Sequence, residues 1–212
     1  MISAKDVLSE PRASGFAFGT VAAVCSALLA FAAPCLAQSD GIPAPTIQDV
    51  APGIDHGSSE DLVDYQYRRQ AVFYRSDYGR GTVVVNTADR YLYLIQSPTA
   101  ALRYGIGVGR EGFQWGGILK ITLKREWPDW VPPPEMIQRQ PYLPRWMAGG
   151  AGNPLGARAM NLGATVYRIH GTNAPETIGH AVSSGCIRLV NDDVIDLYNR
   201  VPLGTTVVVQ HQ

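Results

Sequence analysis

Nowhere in this chain does an apolar period suited to a helix run on for more than a few turns. What recurs instead is a short run of branched and aromatic residues closed by a turn. Thr82-Val83-Val84-Val85-Asn86 leads through Thr87-Ala88-Asp89-Arg90 into Tyr91-Leu92-Tyr93-Leu94-Ile95-Gln96. Such side chains fit a pleated, half-buried surface, so the segment reads as a hairpin. Further strands are expected at 101–108, 118–124, 165–169 and 205–210. Glycine (22) and proline (15) supply the punctuation that many short strands need. One segment reads as helix: Asn191 can cap it, Asp192 and Asp193 suit its positive first turn, and Val194, Leu197, Tyr198 and Val201 share a face. Pro202 and Gly204 stop it. The pattern therefore points to many short strands between turns rather than long helices, and a helical bundle is excluded. Between Arg125 and Gly156 lies a long excursion rich in Trp, Pro and Gly, expected to be a lid or binding surface.

The N-terminal segment reads as an address. Lys5 and Arg12 precede an uncharged run from Gly15 to Ala33, and Cys35-Leu36-Ala37 places small residues before Gln38 as a processing peptidase requires. Residues 1–37 are expected to be a signal peptide directing export to the periplasm. Two alternatives stay open: the run persists as a membrane anchor, or Cys35 carries lipid, against which Pro34 speaks. Residues 38–80, turn-rich and polar, are expected to be a linker with a docked arm, and residues 81–212 the main folded domain. Lys+Arg and Asp+Glu both number 18, so the overall field offers nothing to a nucleic-acid partner.

Export makes the cysteine count informative. Of three cysteines, Cys25 and Cys35 fall inside the signal, which leaves Cys186 without an internal partner in an oxidising compartment. Its surroundings are Ser183-Ser184-Gly185-Cys186-Ile187-Arg188-Leu189, sixteen positions after His170 in Tyr167-Arg168-Ile169-His170-Gly171-Thr172-Asn173. A free thiol with a pKa near ~8.5 is only slightly ionised at neutral pH, and a neighbouring imidazole raises its thiolate fraction. Gly185 permits a tight turn, and the N–H groups of Ser184, Gly185 and Cys186 could converge on the oxyanion of a tetrahedral intermediate.

These residues, with the sixteen-residue interval, the Asn191-Asp192-Asp193 helix and the closing Val201-Pro202-Leu203-Gly204-Thr205-Thr206-Val207-Val208-Val209, resemble the L,D-transpeptidase (YkuD-type) catalytic domain. Trp127-Pro128-Asp129-Trp130 and Asn153-Pro154-Leu155-Gly156-Ala157-Arg158-Ala159 are similar to its Gram-negative periplasmic subgroup. The resemblance spans about residues 81–210. It implies an all-β, YkuD-like sandwich or barrel with one or two short helices, residues 81–212 as the catalytic domain, no cofactor, and acyl transfer from the diaminopimelate to D-Ala bond of a peptidoglycan tetrapeptide stem to an amine. The products would be 3→3 crosslinks or an outer-membrane protein anchored to the wall, and carbapenem-type inhibitors would acylate Cys186. Cys186 would be the nucleophile, His170 the base, and the Gly171 carbonyl the group that orients the ring. Many members carry His where this chain has Ser184, which leaves rate and acceptor open.

Other readings remain beside these. Arg188, two residues past the thiol, would bind a stem carboxylate or pair structurally with an Asp. Thr172 and Asn173 would line the donor site or shape the turn. His180 is the rival base, and no metal-ligand spacing is present. His56 is read as a linker residue, and the four tryptophans, Trp115, Trp127, Trp130 and Trp146, would stack on sugar or peptide in the excursion or serve in packing, the packing reading leading for each. With water as acceptor the same chemistry gives an L,D-carboxypeptidase. A non-catalytic wall-binding module is the reading from another class.

Overall fold

The computed structural model describes residues 62–211. The signal-peptide and linker expectations for residues 1–61, with Cys25, Cys35 and His56, lie outside the described residues. The described part is mostly β. In chain order the strands are β1 (Gln70–Phe73), β2 (Val83–Asn86), β3 (Tyr91–Ser97), β4 (Ala100–Gly105), β5 (Val108–Gly109), β6 (Gly117–Glu126), β7 (Arg158–Leu162), β8 (Arg168–His170), β9 (Ala181–Ser183), β10 (Ile187–Arg188) and β11 (Thr206–Gln210). Helix α1 (Pro134–Arg139) falls between β6 and β7, and α2 (Asn191–Arg200) between β10 and β11.

Nine strands pair in the order β1-β4-β3-β2-β11-β6-β7-β8-β10, and β5 pairs with β9. The ten-residue β6 joins the two halves. Its first part, at Gly117–Lys120, pairs with β11, and from Ile121 onward it pairs with β7, with a register irregularity between Ile121 and Leu123. A bulge bends a strand and increases its twist, so one long strand serves two sheets. The inner faces of both then share one core: Val83, Val85, Leu92 and Tyr104 from one half meet Met160, Leu162, Ile169 and Ile187 from the other, with Val194 and Leu197 of α2 among them.

Strand β2 is covered on both faces. Val84 points away from the main core into a second cluster with Ile95 and Ala101, packed by Val72, Tyr74 and Tyr93. Removing Val84 from water contributes roughly 1.5–3 kcal/mol, and Val72 and Tyr74 supply part of that cover. The segment beginning at Leu62, read as an arm, therefore enters the sheet as edge strand β1, paired with β4. Its alternation is too short to announce a strand.

Helix α2 buries Val194 and Leu197, as its period predicts. Its cap differs from expectation. Val190 is the N-cap residue and makes no side-chain bond, while Asn191 Oδ1 accepts the Ala157 N–H at 3.0 Å. The amide is drawn across to β7 because Gly156 and Gly171 bring the backbone against it, each leaving under 2.5 Å between a Cβ and Asn191 Oδ1. At the other end Lys124 Nζ donates to the carbonyls of Tyr198 and Val201 at 2.6 and 2.8 Å, a cation on the negative helix terminus.

The excursion after β6 is not structureless. Pro134 stands at the start of α1, where its fixed φ suits a first turn. Trp130 and Met147 exchange two backbone bonds. The buried Asn153 closes the loop by donating to the carbonyls of Pro128, Met147 and Ala148.

Candidate active site

Strands β8 and β10 run parallel, with Ile187 beside Ile169 and Arg188 beside His170. Side chains alternate along a strand, so the two isoleucines turn into the core, where both are buried. Arg168, His170 and Arg188 fall on the opposite face, together with Cys186, which stands one step before β10. The thiol and the imidazole are thus diagonal neighbours on one two-stranded patch, and each has a guanidinium across from it.

His170 is buried, and its Nδ1 lies 2.6 Å from the Gly171 carbonyl. A carbonyl only accepts, so Nδ1 carries the proton and Nε2 keeps its lone pair. Burial, then the Arg188 charge and, less strongly, Arg168 push the ring's pKa down to about 3, against the opposing pull of the Gly171 bond. The imidazole is neutral at any working pH and available as a base.

Cys186 is free and half-buried. Its sulfur donates weakly to the Val166 carbonyl at 3.9 Å, and among the described residues no hydrogen bond joins it to the imidazole. Unliganded sites often hold their catalytic groups slightly apart, tightening when substrate binds. Burial pushes the thiol pKa up, and the opposing influences are the Arg168 backbone N–H, the charges of Arg168 and Arg188, and the Arg168 side-chain donor.

The turn carrying the sulfur is held from three sides. Ser183 Oγ donates to the Cys186 carbonyl at 2.6 Å and accepts the Gly185 N–H at 3.1 Å. Trp115 Nε1 donates to the Gly185 carbonyl at 2.7 Å. The Trp115 ring stacks on Tyr167 at 4.3 Å and 6°. Gly185 has φ +102°, and a Cβ there would stand 2.6 Å from the Tyr167 ring, so both backbone conformation and space demand glycine. One sequence expectation needs correction here. The Gly185 N–H is turned onto Ser183 Oγ, so it is not a free donor for an oxyanion.

Two other expected residues serve the local chain. Thr172 is buried, and its Oγ1 accepts the Ala174 N–H at 3.0 Å, so it shapes the turn after β8. Asn173 Nδ2 donates to the Gly152 carbonyl at 2.9 Å, which ties that turn to the excursion. Arg188 has no ion-pair partner among the described residues, and its buried Nε has no hydrogen-bond partner, so the structural Asp pairing weighed from sequence is absent. His180 is exposed, and its contribution is a backbone carbonyl that accepts the Val108 N–H. Among the described residues no cluster of three or more His, Cys, Asp or Glu side chains could hold a metal ion.

Sequence reasoning missed Arg168 and Tyr167, and for Trp115 it weighed packing and ligand stacking but not its bond to the Gly185 carbonyl. Arg168 was findable: on a strand ending at His170, the residue two before it shares its face. The Trp115–Tyr167 stack has no local signature, because its members lie 52 residues apart.

Residues 80–209 match the family described as YkuD: L,D-transpeptidase catalytic domain. The probable L,D-transpeptidase ErfK/SrfK of Escherichia coli strain K12 is 38% identical over 142 residues, covering 63% of this chain and 45% of that protein. The chain thus spans less than half the length of that relative. L,D-transpeptidase 3 from Mycobacterium tuberculosis shares the fold at a TM-score of 0.50, with 15% identity over 61% of this chain and 60% of its own. A Brucella melitensis crystal structure described as a probable carnitine operon oxidoreductase caia is 48% identical, covers 70% of this chain and 97% of its own, and has a TM-score of 0.47.

Proposed function

The chain belongs to the YkuD family of L,D-transpeptidase catalytic domains, and from that premise we propose that it is an acyltransferase using Cys186 on peptidoglycan stem peptides. The observation that carries this reading is the shared face of Cys186, His170 and Arg188, with His170 oriented by a backbone carbonyl so that Nε2 is the basic nitrogen.

The donor is a tetrapeptide stem, and Arg188 receives one of its carboxylates as a bidentate fork. His170 Nε2 takes the thiol proton as Sγ attacks the carbonyl carbon at the L-centre of diaminopimelate. The developing oxyanion is held by the Ser184 and Cys186 amides; in other acyl-transfer enzymes one such donor contributes about 2.7–4 kcal/mol. The C–N bond to D-Ala then breaks, the imidazolium returns its proton to the departing amine, and a thioester remains. An acceptor amine attacks the thioester, His170 removes the amine's proton, and the sulfur leaves as thiolate and is reprotonated. With a second stem as acceptor the product is a 3→3 crosslink; with a protein amine it is an outer-membrane protein anchored to the wall; with water it is a trimmed tripeptide.

Residues 1–37 act as a signal peptide, 38–80 as a linker with a docked arm, and 81–212 as the catalytic domain, working in the periplasm. Carbapenems, whose strained carbonyl meets the same nucleophile, acylate Cys186.

Intact-mass spectrometry of the protein with a tetrapeptide muropeptide, and separately with a carbapenem, tests the assignment. An adduct mapped to Cys186 is expected, absent in Cys186→Ala and formed about 10²–10⁴-fold more slowly in His170→Ala. Labelling elsewhere, or none, overturns it. Product analysis then distinguishes crosslinks from tripeptides.

A further inference from the structure

The face that carries the thiol holds a second guanidinium besides that of Arg188, on Arg168 of β8. Continued one step back from the Ile169 and Ile187 pair, the parallel register of β8 and β10 brings Arg168 opposite Cys186, just ahead of β10. The strand leaves Arg168 half-buried beside the sulfur. Among the described residues Arg168 forms no ion pair, so no carboxylate draws its charge away. The sulfur's other polar neighbour is the Val166 carbonyl at 3.9 Å, an acceptor that suits the S–H form and offers nothing to S⁻.

These neighbours define a difficulty. When the proton leaves Sγ for His170, the new imidazolium is a poor local counter-charge, because the ring is buried and faces Arg188. A negative sulfur in a half-buried site needs a cation already in position, since desolvation disfavours the charged form by several pKa units when unopposed. Arg168 is the cation that register places there. We propose that Arg168 is a further catalytic residue, the permanent counter-cation of the Cys186 thiolate once the proton has left, while Arg188 is left for the substrate.

Two features support the division. Both the backbone N–H and the side-chain donors of Arg168 act on the sulfur and favour its ionised form, and Arg168 precedes Arg188 among those influences. On His170 the order is reversed, with Arg188 first. Each guanidinium thus acts mainly on the group opposite it in the ladder. Proton balance is unchanged from the transfer already described, since Arg168 donates hydrogen bonds and gives up no proton. The arrangement also accommodates Ser184, because the positive charge beside the sulfur is supplied from β8.

The inference rests on Cys186 as nucleophile, but its test does not require transpeptidation. The full chain is treated with iodoacetamide across a pH series, and modification of Cys186 is followed by peptide mass spectrometry, which separates it from Cys25 and Cys35. Arg168→Gln is expected to move the midpoint of the alkylation profile upward by about one pH unit and slow the reaction at pH 7 about tenfold. Arg168→Lys is expected to recover most of the shift. Arg168→Met keeps the aliphatic stem and carries the same expectation as the Gln variant should that one not fold. For the donor, kcat is expected to fall while KM stays within about twofold. A wild-type profile in both neutral variants overturns the proposal, as does a loss confined to KM, which would make Arg168 a substrate contact. A shifted profile in a protein that forms no acyl adduct would retain this inference and sink the function proposed above.

Discussion

Two buried polar groups of this molecule contrast in how fully they are partnered. Behind α2, the Tyr104 hydroxyl donates to Asp196 Oδ2 at 2.7 Å, and Arg200 Nε meets both oxygens of that carboxylate at 3.0 and 2.9 Å. Arg69, from the segment leading into β1, lies 3.4 Å from Asp196 and 3.6 Å from Asp193. Asp196 thus has three distinct partners. On the face of β8 and β10, by contrast, Arg188 has a buried Nε with no hydrogen-bond partner, the thiol has one weak contact, and the imidazole is held neutral. Buried polar groups are ordinarily hydrogen-bonded because an unpartnered one costs about 1–3 kcal/mol. Asp196 obeys that rule and fastens helix to sheet. The face of β8 and β10 departs from it where a bound ligand would complete the bonds.

The contrast breaks most visibly if the first cluster is disturbed. Asp196→Ala strips Arg200 and Tyr104 of their shared partner and is expected to lower the unfolding free energy by about 3–5 kcal/mol, the usual penalty for breaking a buried pair. Denaturant unfolding gives the loss directly, and the carbapenem acylation rate of the folded fraction should stay near wild type. A stable Asp196→Ala variant with slow acylation would assign the cluster to function and erase the distinction.

Arg188→Gln probes the other side with a smaller expected effect. Acylation efficiency for the tetrapeptide donor should drop about 10–100-fold, mostly through KM, which is about 1.4–2.8 kcal/mol of transition-state binding. Stability should change by less than about 1 kcal/mol in either direction, because no native partner is lost. A large loss of stability would mean that Arg188 is a structural residue.

The last comparison uses pH. Since the folded-state pKa of His170 lies near 3 and the unfolded value near 6.5, the unfolded chain takes up a proton in that window and the folded one does not. Stability from this group is complete above pH 6.5 and falls as pH drops toward 3. Between pH 7 and pH 5 the loss is at most about 2 kcal/mol, at about 1.36 kcal/mol per unit of difference. His170→Gln should remove that part of the acid sensitivity, read as a smaller separation between melting temperatures at the two pH values. Parallel curves for the two proteins would place His170 in contact with solvent.

Much of this was legible before any coordinates. The hairpin of β2 and β3, the α2 period and the strand at 206–210 announce themselves because each has enough alternation to exceed local noise. Strands β1, β9 and β10 do not, at four, three and two residues, for they are defined by the neighbour they pair with. Helix α1 was hidden by its prolines, one of which begins it. At the site, Cys186 and His170 stood out through a lone thiol and a shared motif. The Gly185 amide was misread because sequence gives proximity along the chain and not the direction in which a donor points.

The division follows from how far each kind of information reaches. Residue type and short spacing determined that this chain would make short strands, carry one thiol near one imidazole, and need glycine at the turn between them, since those properties depend on a few neighbouring dihedrals. The parallel register of β8 and β10 decided which groups share a face. That register set Arg168 across from sulfur, Arg188 across from imidazole and both isoleucines into the core. A shift of one residue would have exchanged the core face for the cleft, and only the packing of the whole sandwich around those isoleucines selects between them.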